Sequence, residues 1–480
     1  MSSPVASKTS PAPSKAAPRA MMTLGDALPW LPGARLAGEP STAFVRVHTD
    51  TRSLQAGDLF VAIKGENFDG NDFLAQAKAA GACAALAHGG LREAALPGIE
   101  VADTRVALGQ LAQGWRQQFK LPLIAVTGSN GKTTVTQMLA SILAAAKPER
   151  HLATQGNLNN DIGAPLTLLR LRAEHELAVL ELGMNHPDEI AYLARLVQPT
   201  VALVNNAQRE HMEFMSSVQA VARENGAVLQ ALPAGGYAVL PANDEHLPLW
   251  RDLAGGRKLL TFGMAEDTGP NQADVCVVDG QWAHAAWRVL LQTPQGELSY
   301  SLHIAGRHNL RNSAAAAACA MAAGVEPAAI SLGLARFRPV AGRLRVHELQ
   351  LQAHRISLVD DSYNANPDSA RASIDVLAAM PGPRLLVLGD MAEVGAQGPA
   401  MHAEVGAYAR QCGIEHLLCL GELSRHSAQA FGKAAHFMDI DALQAQLHTR
   451  LPQVSSVLVK GSRSMRMERV VKTIQAEELG

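Results

Sequence analysis

The sequence lacks three features, and each absence excludes a class of protein. The 480-residue chain has no run of about 18 apolar residues, so we expect no membrane-spanning helix. It has 42 Lys and Arg against 44 Asp and Glu, and without a basic excess it does not resemble a general nucleic-acid binder. Its five cysteines are scattered without a CxxC pair, which argues against a disulfide framework or a zinc site and fits a reducing cytoplasm.

The chain length and the changes in local pattern predict an α/β protein with three domains behind a short tail. Residues 1–21 are rich in Ser, Pro and Ala, a composition typical of disorder. Residues 22–118 predict a small mixed α/β domain, and 119–338 predict a central domain with a mostly parallel sheet. In residues 339–480 short apolar strands alternate with helices, which predicts a doubly wound, Rossmann-like domain.

The strongest motif is a glycine-rich loop, Thr127 to Thr134, with the sequence TGSNGKTT. It follows an apolar strand at 121–126 and precedes a predicted helix at 135–146, the setting of a phosphate-binding loop. Backbone N–H groups in such a loop, and the helix N-terminus, attract an anion. We therefore expect Lys132 to reach the β- and γ-phosphates of ATP and Thr133 to ligate Mg²⁺.

Two later strands end in polar residues that suit a metal bound to phosphate. Glu181 lies within an apolar strand, where a carboxylate is costly unless it is neutralised, and Mg²⁺ is a natural partner. His211 follows the next strand in a run of polar residues. The carboxyl ends of parallel strands share one sheet edge, so the predicted metal ligands are Thr133, Glu181 and His211.

Three further motifs follow in the second half of the chain. GRHNLRN at 306–312 carries amides that can read a base edge, or that can simply cap the next helix. DDSYNANP at 360–367 places two acids at a strand end, suited to ribose hydroxyls or an ammonium group. KGSR at 460–463 places cations at another strand end, suited to a carboxylate or phosphate.

Taken in order, these motifs resemble those of the Mur ligases, as do GNLNNDIGAP at 156–165, ELGMNH at 181–186, AGR at 341–343 and GDMAEVG at 389–395. The DSYNANP block resembles the branch of that family that adds D-alanyl-D-alanine. The resemblance implies an ATP- and Mg²⁺-dependent ligase that joins this dipeptide to UDP-N-acetylmuramoyl-tripeptide through an acyl phosphate. It also implies a monomer that acts in cytoplasmic peptidoglycan precursor synthesis. The third residue of the tripeptide, diaminopimelate or lysine, stays open.

The same resemblance implies that residues 22–118 form the UDP-sugar-binding domain, 119–338 the ATP-binding domain and 339–480 the C-terminal ligase domain, and it assigns residue roles. It makes Lys132 and Arg343 catalytic, with Asn312 at the adenine and Asp361 at the ribose. The ATP-binding residues would be Gly128, Ser129, Asn130, Gly131, Lys132, Thr133, Thr134, Asn309, Asn312, Arg343 and Asp361. The substrate-binding residues would be Asp50, Thr51, Arg52, Lys64, Asn160, Asp161, Asn364 and Asn366.

One position departs from many members of that family, in which a carbamylated lysine helps to place Mg²⁺. The matching position here is Asn225, and no lysine occurs between Lys147 and Lys258, so we expect no carbamate. Two other interpretations of the sequence stay open: a different amide-bond ligase of the same superfamily, and a nucleotide hydrolase that switches between binding partners.

Overall fold

The computed structural model describes residues 19–268, 273–351 and 354–477. The chain divides into two compact units, Met1–Gly114 and Trp115–Gly480. Most of the predicted disordered tail lies outside the described residues. Within its last part, Met21 is buried and its N–H donates to the carbonyl of Phe44, so ordered structure includes this residue.

The first unit is built on a five-stranded sheet of order β2-β7-β6-β5-β4, in which only the β2–β7 pair is antiparallel. A two-stranded sheet pairs β1 with β3. The elements are β1 (Met22–Thr23), α1 (Leu24–Ala27), β2 (Arg35–Ala37), β3 (Ala43–Phe44), β4 (Arg46–His48), β5 (Asp58–Val61), α2 (Leu74–Ala79), β6 (Ala84–Ala87), β7 (Gly98–Glu100) and α3 (Thr104–Arg116), which continues into the second unit.

The second unit contains two sheets, of which the first has nine strands in the order β16-β15-β14-β13-β12-β11-β8-β10-β9. Its elements are β8 (Leu123–Thr127), α4 (Lys132–Ala146), β9 (His151–Ala153), α5 (Gly163–Leu168), β10 (Leu177–Glu181), α6 (Glu189–Val197), β11 (Val201–Val204), α7 (Val218–Gly226), β12 (Tyr237–Pro241), α8 (Leu247–Ala254), β13 (Lys258–Met264), α9 (Ala265–Thr268), β14 (Val275–Ala283), β15 (Ala286–Thr293), β16 (Gly296–Leu302), α10 (His308–Ala322) and α11 (Pro327–Arg336). The strands from β9 to β14 pair in parallel, and β14, β15 and β16 pair antiparallel.

The second sheet of this unit has six strands in the order β17-β18-β22-β19-β20-β21 and is parallel except for the β17–β18 pair. Its elements are β17 (Arg345–Leu351), β18 (His354–Asp361), α12 (Pro367–Ala378), β19 (Arg384–Gly389), α13 (Gly398–Gln411), β20 (His416–Leu420), α14 (Ser424–Phe431), β21 (Ala435–Phe437), α15 (Ile440–Arg450), β22 (Ser456–Lys460) and α16 (Glu468–Ala476). Three mainly parallel sheets, one per predicted domain, confirm the predicted fold class.

The order of the central sheet brings the predicted site residues to one edge. Strand β8 lies between β10 and β11 and pairs with both in parallel, so the polar segments after these three strands emerge side by side. The predicted start of the following helix was wrong by one turn. Helix α4 begins at Lys132 rather than at residue 135, because left-handed Gly131 serves as its N-cap. Lys132, Thr133 and Thr134 thus form its first turn.

The core of the second unit explains why so many alanines occur in one helix. Residues Ala314 to Ala320 of α10 are buried, and their small side chains allow α10 to pack closely on α4 and on the central sheet. Val135, Leu139 and Ile142 of α4 belong to the same core. Among the described residues, no helix combines the length and apolarity needed to cross a bilayer.

Candidate active site

The glycine-rich loop between β8 and α4 depends on glycine at two positions. Gly128 and Gly131 have φ angles of +128° and +83°, a region that L side chains rarely adopt. A Cβ atom at Gly131 would also lie 2.7 Å from both Nδ2 of Asn205 and Oδ1 of Asn312. The spacing of these glycines therefore follows from backbone conformation and close packing together.

Asparagine side chains behind the loop hold it in place. The N–H of Gly128 donates to Oδ1 of Asn225 at 2.8 Å, and the N–H of Asn130 donates to Oδ1 of Asn206 at 2.8 Å. Nδ2 of Asn205 donates to the carbonyl of Asn130 at 2.8 Å. Asn225, at which we expect no carbamate, thus uses its amide oxygen to fix the loop.

Lys132 turns its ammonium group back over the loop. Its Nζ donates to the carbonyl oxygens of Gly128 at 2.5 Å and Ser129 at 3.2 Å, and it forms an ion pair with Glu210. Only 13% of the Lys132 side chain and 10% of the Glu210 side chain are exposed. Sequence reasoning did not single out Glu210 as a site residue. The signal that could have found it is an acid directly before His211, at a strand end beside the loop.

Thr133 and Glu181 meet, as the sequence predicts for a metal site. Oγ1 of Thr133 donates to Oε1 of Glu181 at 3.2 Å, and Nδ2 of Asn159 donates to the same oxygen at 2.8 Å. Glu181 is buried at the end of β10. Over the described residues, no cluster of three or more His, Cys, Asp or Glu side chains is arranged as a metal site. A hydroxyl and a carboxylate still suit Mg²⁺, which usually takes its other ligands from phosphate and water.

Among the residues that the structure describes, His211, the third predicted metal ligand, makes polar contacts with Glu393 and Glu210 and none with Thr133 or Glu181. Its Nδ1 lies 2.6 Å from Oε2 of Glu393, and its Nε2 lies 3.6 Å from Oε1 of Glu210. Hydrogen bonding to His211 lowers the pKa of Glu393, against the opposing effect of burial. The predicted metal ligands therefore fall into two neighbouring groups, one around Thr133 and one around His211.

Arg343 links the six-stranded part of the second unit to the loop. Its Nη2 donates to Oγ1 of Thr133 at 3.4 Å, and its guanidinium lies 4.5 Å from the ring centre of Tyr363. Asn366 makes a second link, because its Nδ2 donates to Oδ1 of Asn130 at 3.0 Å while its own Oδ1 caps α12. Asn366, expected from the resemblance near the substrate, thus contacts the phosphate-binding loop.

Arg209 forms a third link. Its guanidinium donates to Asp368 on α12 and to Glu404 on α13, with closest distances of 2.6 Å to each carboxylate. Its own N–H also donates to Asp368 at 3.0 Å. Hydrogen bonding from Arg209 lowers the pKa of Glu404 to about 2. The ion pairs of Arg209 therefore fix the loop after β11 to helices α12 and α13, directly before Glu210 and His211 in the chain.

Asp361 and Asn364 are engaged within the six-stranded part. Oδ2 of Asp361 pairs with Nζ of Lys460 at 2.5 Å and accepts from Oγ of Ser373 at 2.6 Å. Oδ1 of Asp361 accepts from the N–H of Leu344 at 3.3 Å. Nζ of Lys460 also donates to the carbonyl of Asn364 at 3.0 Å. A ribose contact of Asp361 would have to share these oxygens, and it stays a prediction.

Asn309 and Asn312 lie in the first turns of α10, directly behind the loop. Nδ2 of Asn312 donates to Oδ1 of Asn309 at 2.8 Å, and Nδ2 of Asn205 donates to Oδ1 of Asn312 at 3.0 Å. Both side chains are buried. The same turn contains His308. Burial of its imidazole lowers the pKa of His308 to about 4. The adenine contact of Asn312 stays a prediction.

The predicted substrate residues occur in both units. In the second unit, Oδ1 of Asn160 accepts from the N–H of Gly163 at 2.9 Å at the start of α5, and the neighbouring Asp161 is half-buried. In the first unit, Asp50 caps the turn at Thr51–Ser53 and pairs with exposed Arg52 at 2.7 Å, which lowers the pKa of Asp50 to about 2. Lys64 lies 3.7 Å from Asp69.

Three family models match successive parts of the chain. They are described as Mur ligase family, catalytic domain, over residues 44–116; Mur ligase middle domain, over 126–320; and Mur ligase, glutamate ligase domain, over 342–463. The middle-domain match includes the phosphate-binding loop, Glu181, His211 and Asn312. The last match includes Arg343, Asp361 and Lys460.

Individual proteins are similar along nearly the whole chain. The UDP-N-acetylmuramoyl-tripeptide--D-alanyl-D-alanine ligase of Escherichia coli strain K12 is 44% identical over 433 residues, which cover 89% of this chain and 93% of that protein. A crystal structure of MurF from Acinetobacter baumannii is 34% identical with a TM-score of 0.87, covering 95% and 99% of the two chains. A MurF ligase from Thermotoga maritima in complex with ADP is 26% identical with a TM-score of 0.78, covering 90% and 98%.

Proposed function

Because the chain belongs to the Mur ligase family, we propose that it is the ATP-dependent ligase that joins D-alanyl-D-alanine to UDP-N-acetylmuramoyl-tripeptide in peptidoglycan precursor synthesis. The observation that carries the proposal is the 44% identity, over 89% of the chain, to a ligase named for this reaction. The geometry supports it, since a phosphate-binding loop meets an arginine and an asparagine from the six-stranded part.

The reaction has two chemical steps. A carboxylate oxygen of the tripeptide attacks the γ-phosphorus of ATP, and ADP leaves, which gives an acyl phosphate. The amine of D-alanyl-D-alanine then attacks the activated carbonyl carbon, a tetrahedral intermediate forms, and phosphate leaves with one former carboxylate oxygen. Lys132, folded over the loop, and Arg343, which contacts Thr133, would supply positive charge to the transferring phosphoryl group.

Mg²⁺ would be held first by Thr133 and Glu181, whose hydroxyl and carboxylate lie 3.2 Å apart. When bound, the ion neutralises phosphate charge and orients the nucleotide. Asn159 fixes the Glu181 carboxylate by a hydrogen bond of 2.8 Å. His211 lies in the neighbouring group and would serve a second ion. The loop backbone is fixed by hydrogen bonds with the side chains of Asn205, Asn206 and Asn225.

The remaining assignments are part of the same proposal. Asn160 and Asp161 would lie near the tripeptide carboxylate, and Asn364 and Asn366 near the dipeptide. The nucleotide-sugar end would be held by Asp50, Thr51, Arg52 and Lys64. Asn309, Asn312 and Asp361 would hold the adenosine. We also propose that the protein acts as a monomer in the cytoplasm.

Phosphate release in the presence of ATP, UDP-N-acetylmuramoyl-tripeptide and a panel of amines tests the function. We expect release only when the nucleotide tripeptide and D-alanyl-D-alanine are both present, with single amino acids inactive as acceptor amines. Both the diaminopimelate and the lysine tripeptide should be assayed. Release with ATP alone at the full rate would indicate a nucleotide hydrolase, and preference for another amine would indicate a different ligase.

A further inference from the structure

The ring of Tyr363 has two guanidinium groups beside it. The guanidinium carbon of Arg343 lies 4.5 Å from the ring centre, and that of Arg463 lies 5.6 Å from it. The two cations are therefore at most about 10 Å apart, the total of the two distances. Both distances fall within the range of about 6 Å in which an aromatic ring attracts a cation, so the ring helps to hold both arginines.

Backbone contacts fix the segments that carry these side chains. The N–H of Tyr363 donates to the carbonyl of Gly342 at 3.2 Å, and a Cβ atom at Gly342 would lie 2.9 Å from the Cβ of Tyr363. Arg463 follows Ser462, whose N–H donates to the carbonyl of Asp390 at 3.0 Å. The ring therefore packs directly on the turn that precedes Arg343, and the start of the Arg463 segment is held by its own backbone bond.

The two arginines differ in what they contact. Arg343 donates to Thr133 of the phosphate-binding loop at 3.4 Å. The side chain of Arg463 is 59% exposed and follows the carboxyl end of β22, the kind of sheet edge at which α/β proteins bind ligands. Its Nη1 donates to Oε1 of Glu468 at 3.0 Å. A guanidinium has five N–H donors, so this one bond leaves donors for a bidentate contact with a second carboxylate.

The other cation of the KGSR motif is engaged inside the protein. Lys460 is 3% exposed, and its Nζ bonds the carboxylate of Asp361 and the carbonyl of Asn364. Of the two cations that the sequence places at this strand end for a carboxylate or phosphate, Arg463 is therefore the accessible one.

We propose that Arg463 binds the C-terminal carboxylate of the acceptor dipeptide, and that Tyr363 is a positioning residue that places Arg463 relative to Arg343. The proposal deepens the proposed function and rests on it, because it takes the acyl phosphate to form beside Thr133 and Arg343. An extended dipeptide spans about 7 Å, so its carboxylate reaches Arg463 while its amine meets the acyl phosphate. A single amino acid spans about half that length. Arg463 thus selects the acceptor by the charge and the position of its C-terminus.

Ligation kinetics with D-alanyl-D-alanine and with its C-terminal amide test the proposal, because the amide has the same length and lacks the negative charge. With the full chain, saturating ATP and saturating tripeptide, kcat/KM for each amine is measured as phosphate release. We expect the wild-type value to be about 10- to 150-fold lower for the amide, the range for a hydrogen bond to a charged group.

Arg463→Met should lower kcat/KM for the dipeptide by a similar factor, mainly by raising KM, and should lower the value for the amide much less. The discrimination between the two amines is then lost, whereas KM for ATP and for the tripeptide stays as in the wild type. Arg469→Met is the matched control, since Arg469 is another exposed arginine of the same segment and bonds the carbonyls of Met465 and Arg466. It should discriminate as the wild type does.

Two substitutions separate the ring of Tyr363 from its hydroxyl. Tyr363→Phe should keep the wild-type discrimination, because the aromatic ring attracts the guanidinium without the hydroxyl. Tyr363→Leu should lose most of it. Circular dichroism and the melting temperature confirm that each variant is folded before its kinetics are compared.

Equal use of the dipeptide and its amide by the wild type would overturn the proposal. So would unchanged discrimination in Arg463→Met, or an equal loss with both amines, which would indicate a structural role. Loss of discrimination in Tyr363→Phe would overturn the role of the ring. If the wild type ligates neither amine, the proposed function fails and this inference fails with it. If it ligates both equally well, the proposed function stands and only this inference fails.

Discussion

Replacing Arg209 with methionine should loosen the contact between the loop after β11 and helices α12 and α13. The guanidinium bonds two carboxylates, Asp368 and Glu404, and 25% of its side chain is exposed, so the site is neither a surface pair nor a fully buried one. Exposed pairs contribute up to about 1 kcal/mol, and breaking a buried one costs about 3–5 kcal/mol. We therefore expect a cost of about 1–3 kcal/mol, since methionine leaves two neighbouring carboxylates without their shared cation.

Hydrogen exchange by mass spectrometry measures this cost locally, because a chain of several domains does not unfold in one two-state step. Under conditions where reclosing is fast, peptides covering the loop and the start of α12 should exchange about 5- to 150-fold faster in Arg209→Met. Arg371→Met is the control. Arg371 makes a single, more exposed pair with Glu404, at 2.9 Å, and its loss should cost about 1 kcal/mol or less.

The pH dependence of the same experiment has a defined sign. Hydrogen bonding from Arg209, and to a smaller extent from Arg371, lowers the pKa of Glu404 from 4.5 to about 2. A lowered carboxyl pKa contributes stability above pH 4.5, and that stability is lost as the pH falls from 4.5 towards 2. The difference between wild type and Arg209→Met should therefore shrink as the pH is lowered from 7 to 3. Equal exchange rates in the two proteins at pH 7, or a difference that grows in acid, would refute the reasoning.

Three further predictions concern the loop, the metal and α10. Lys132→Ala should reduce the rate of ligation, measured as phosphate release, at least about 10²-fold in a folded protein, because it removes a cation placed to meet phosphate. Near-normal activity of the folded variant would disprove the role of the loop. Depletion or addition of bicarbonate should leave the ligation rate unchanged, because Asn225 cannot form a carbamate and its amide oxygen accepts from the N–H of Gly128. A strong increase in the ligation rate on adding bicarbonate would contradict this. Burial lowers the pKa of His308 from 6.5 to about 4. Wild-type stability should therefore fall by up to about 2 kcal/mol from pH 7.5 to pH 5, because over this range the imidazole of the unfolded chain takes up a proton while that of the folded chain stays neutral. The melting temperature of His308→Asn should fall less over this range, and an equal fall in both proteins would exclude His308 as the cause.

Sequence reasoning succeeded where the determinants are local. The phosphate-binding loop, the apolar parallel strands and the acid at the end of β10 are each specified within a few residues. Strand order could not be read locally, but the rule that parallel strands share a carboxyl edge was enough to bring Glu181 and the loop together. The antiparallel extension β14–β16 is not specified locally as a unit, because β14 pairs in parallel with β13 on one side and antiparallel with β15 on the other.

The contacts that sequence reasoning missed are made between distant segments. Arg209 pairs with residues 159 and 195 positions away, and Asp361 pairs with Lys460, 99 positions away. Asn366, which the resemblance places near the substrate, also caps α12 and contacts Asn130, 236 positions away. Glu210 lies in an irregular loop with no periodicity, so only the folded chain reveals that its carboxylate is buried beside Lys132.

The path of one oxygen atom tests the central claim most directly. If the tripeptide carboxylate is labelled with ¹⁸O at both oxygens, its attack on ATP and the later loss of phosphate must carry one labelled oxygen into inorganic phosphate. Mass spectrometry should therefore find one ¹⁸O in each phosphate released and one in the new amide of the D-alanyl-D-alanine product. Unlabelled phosphate formed in step with the amide product would contradict the acyl-phosphate reaction on which the account rests.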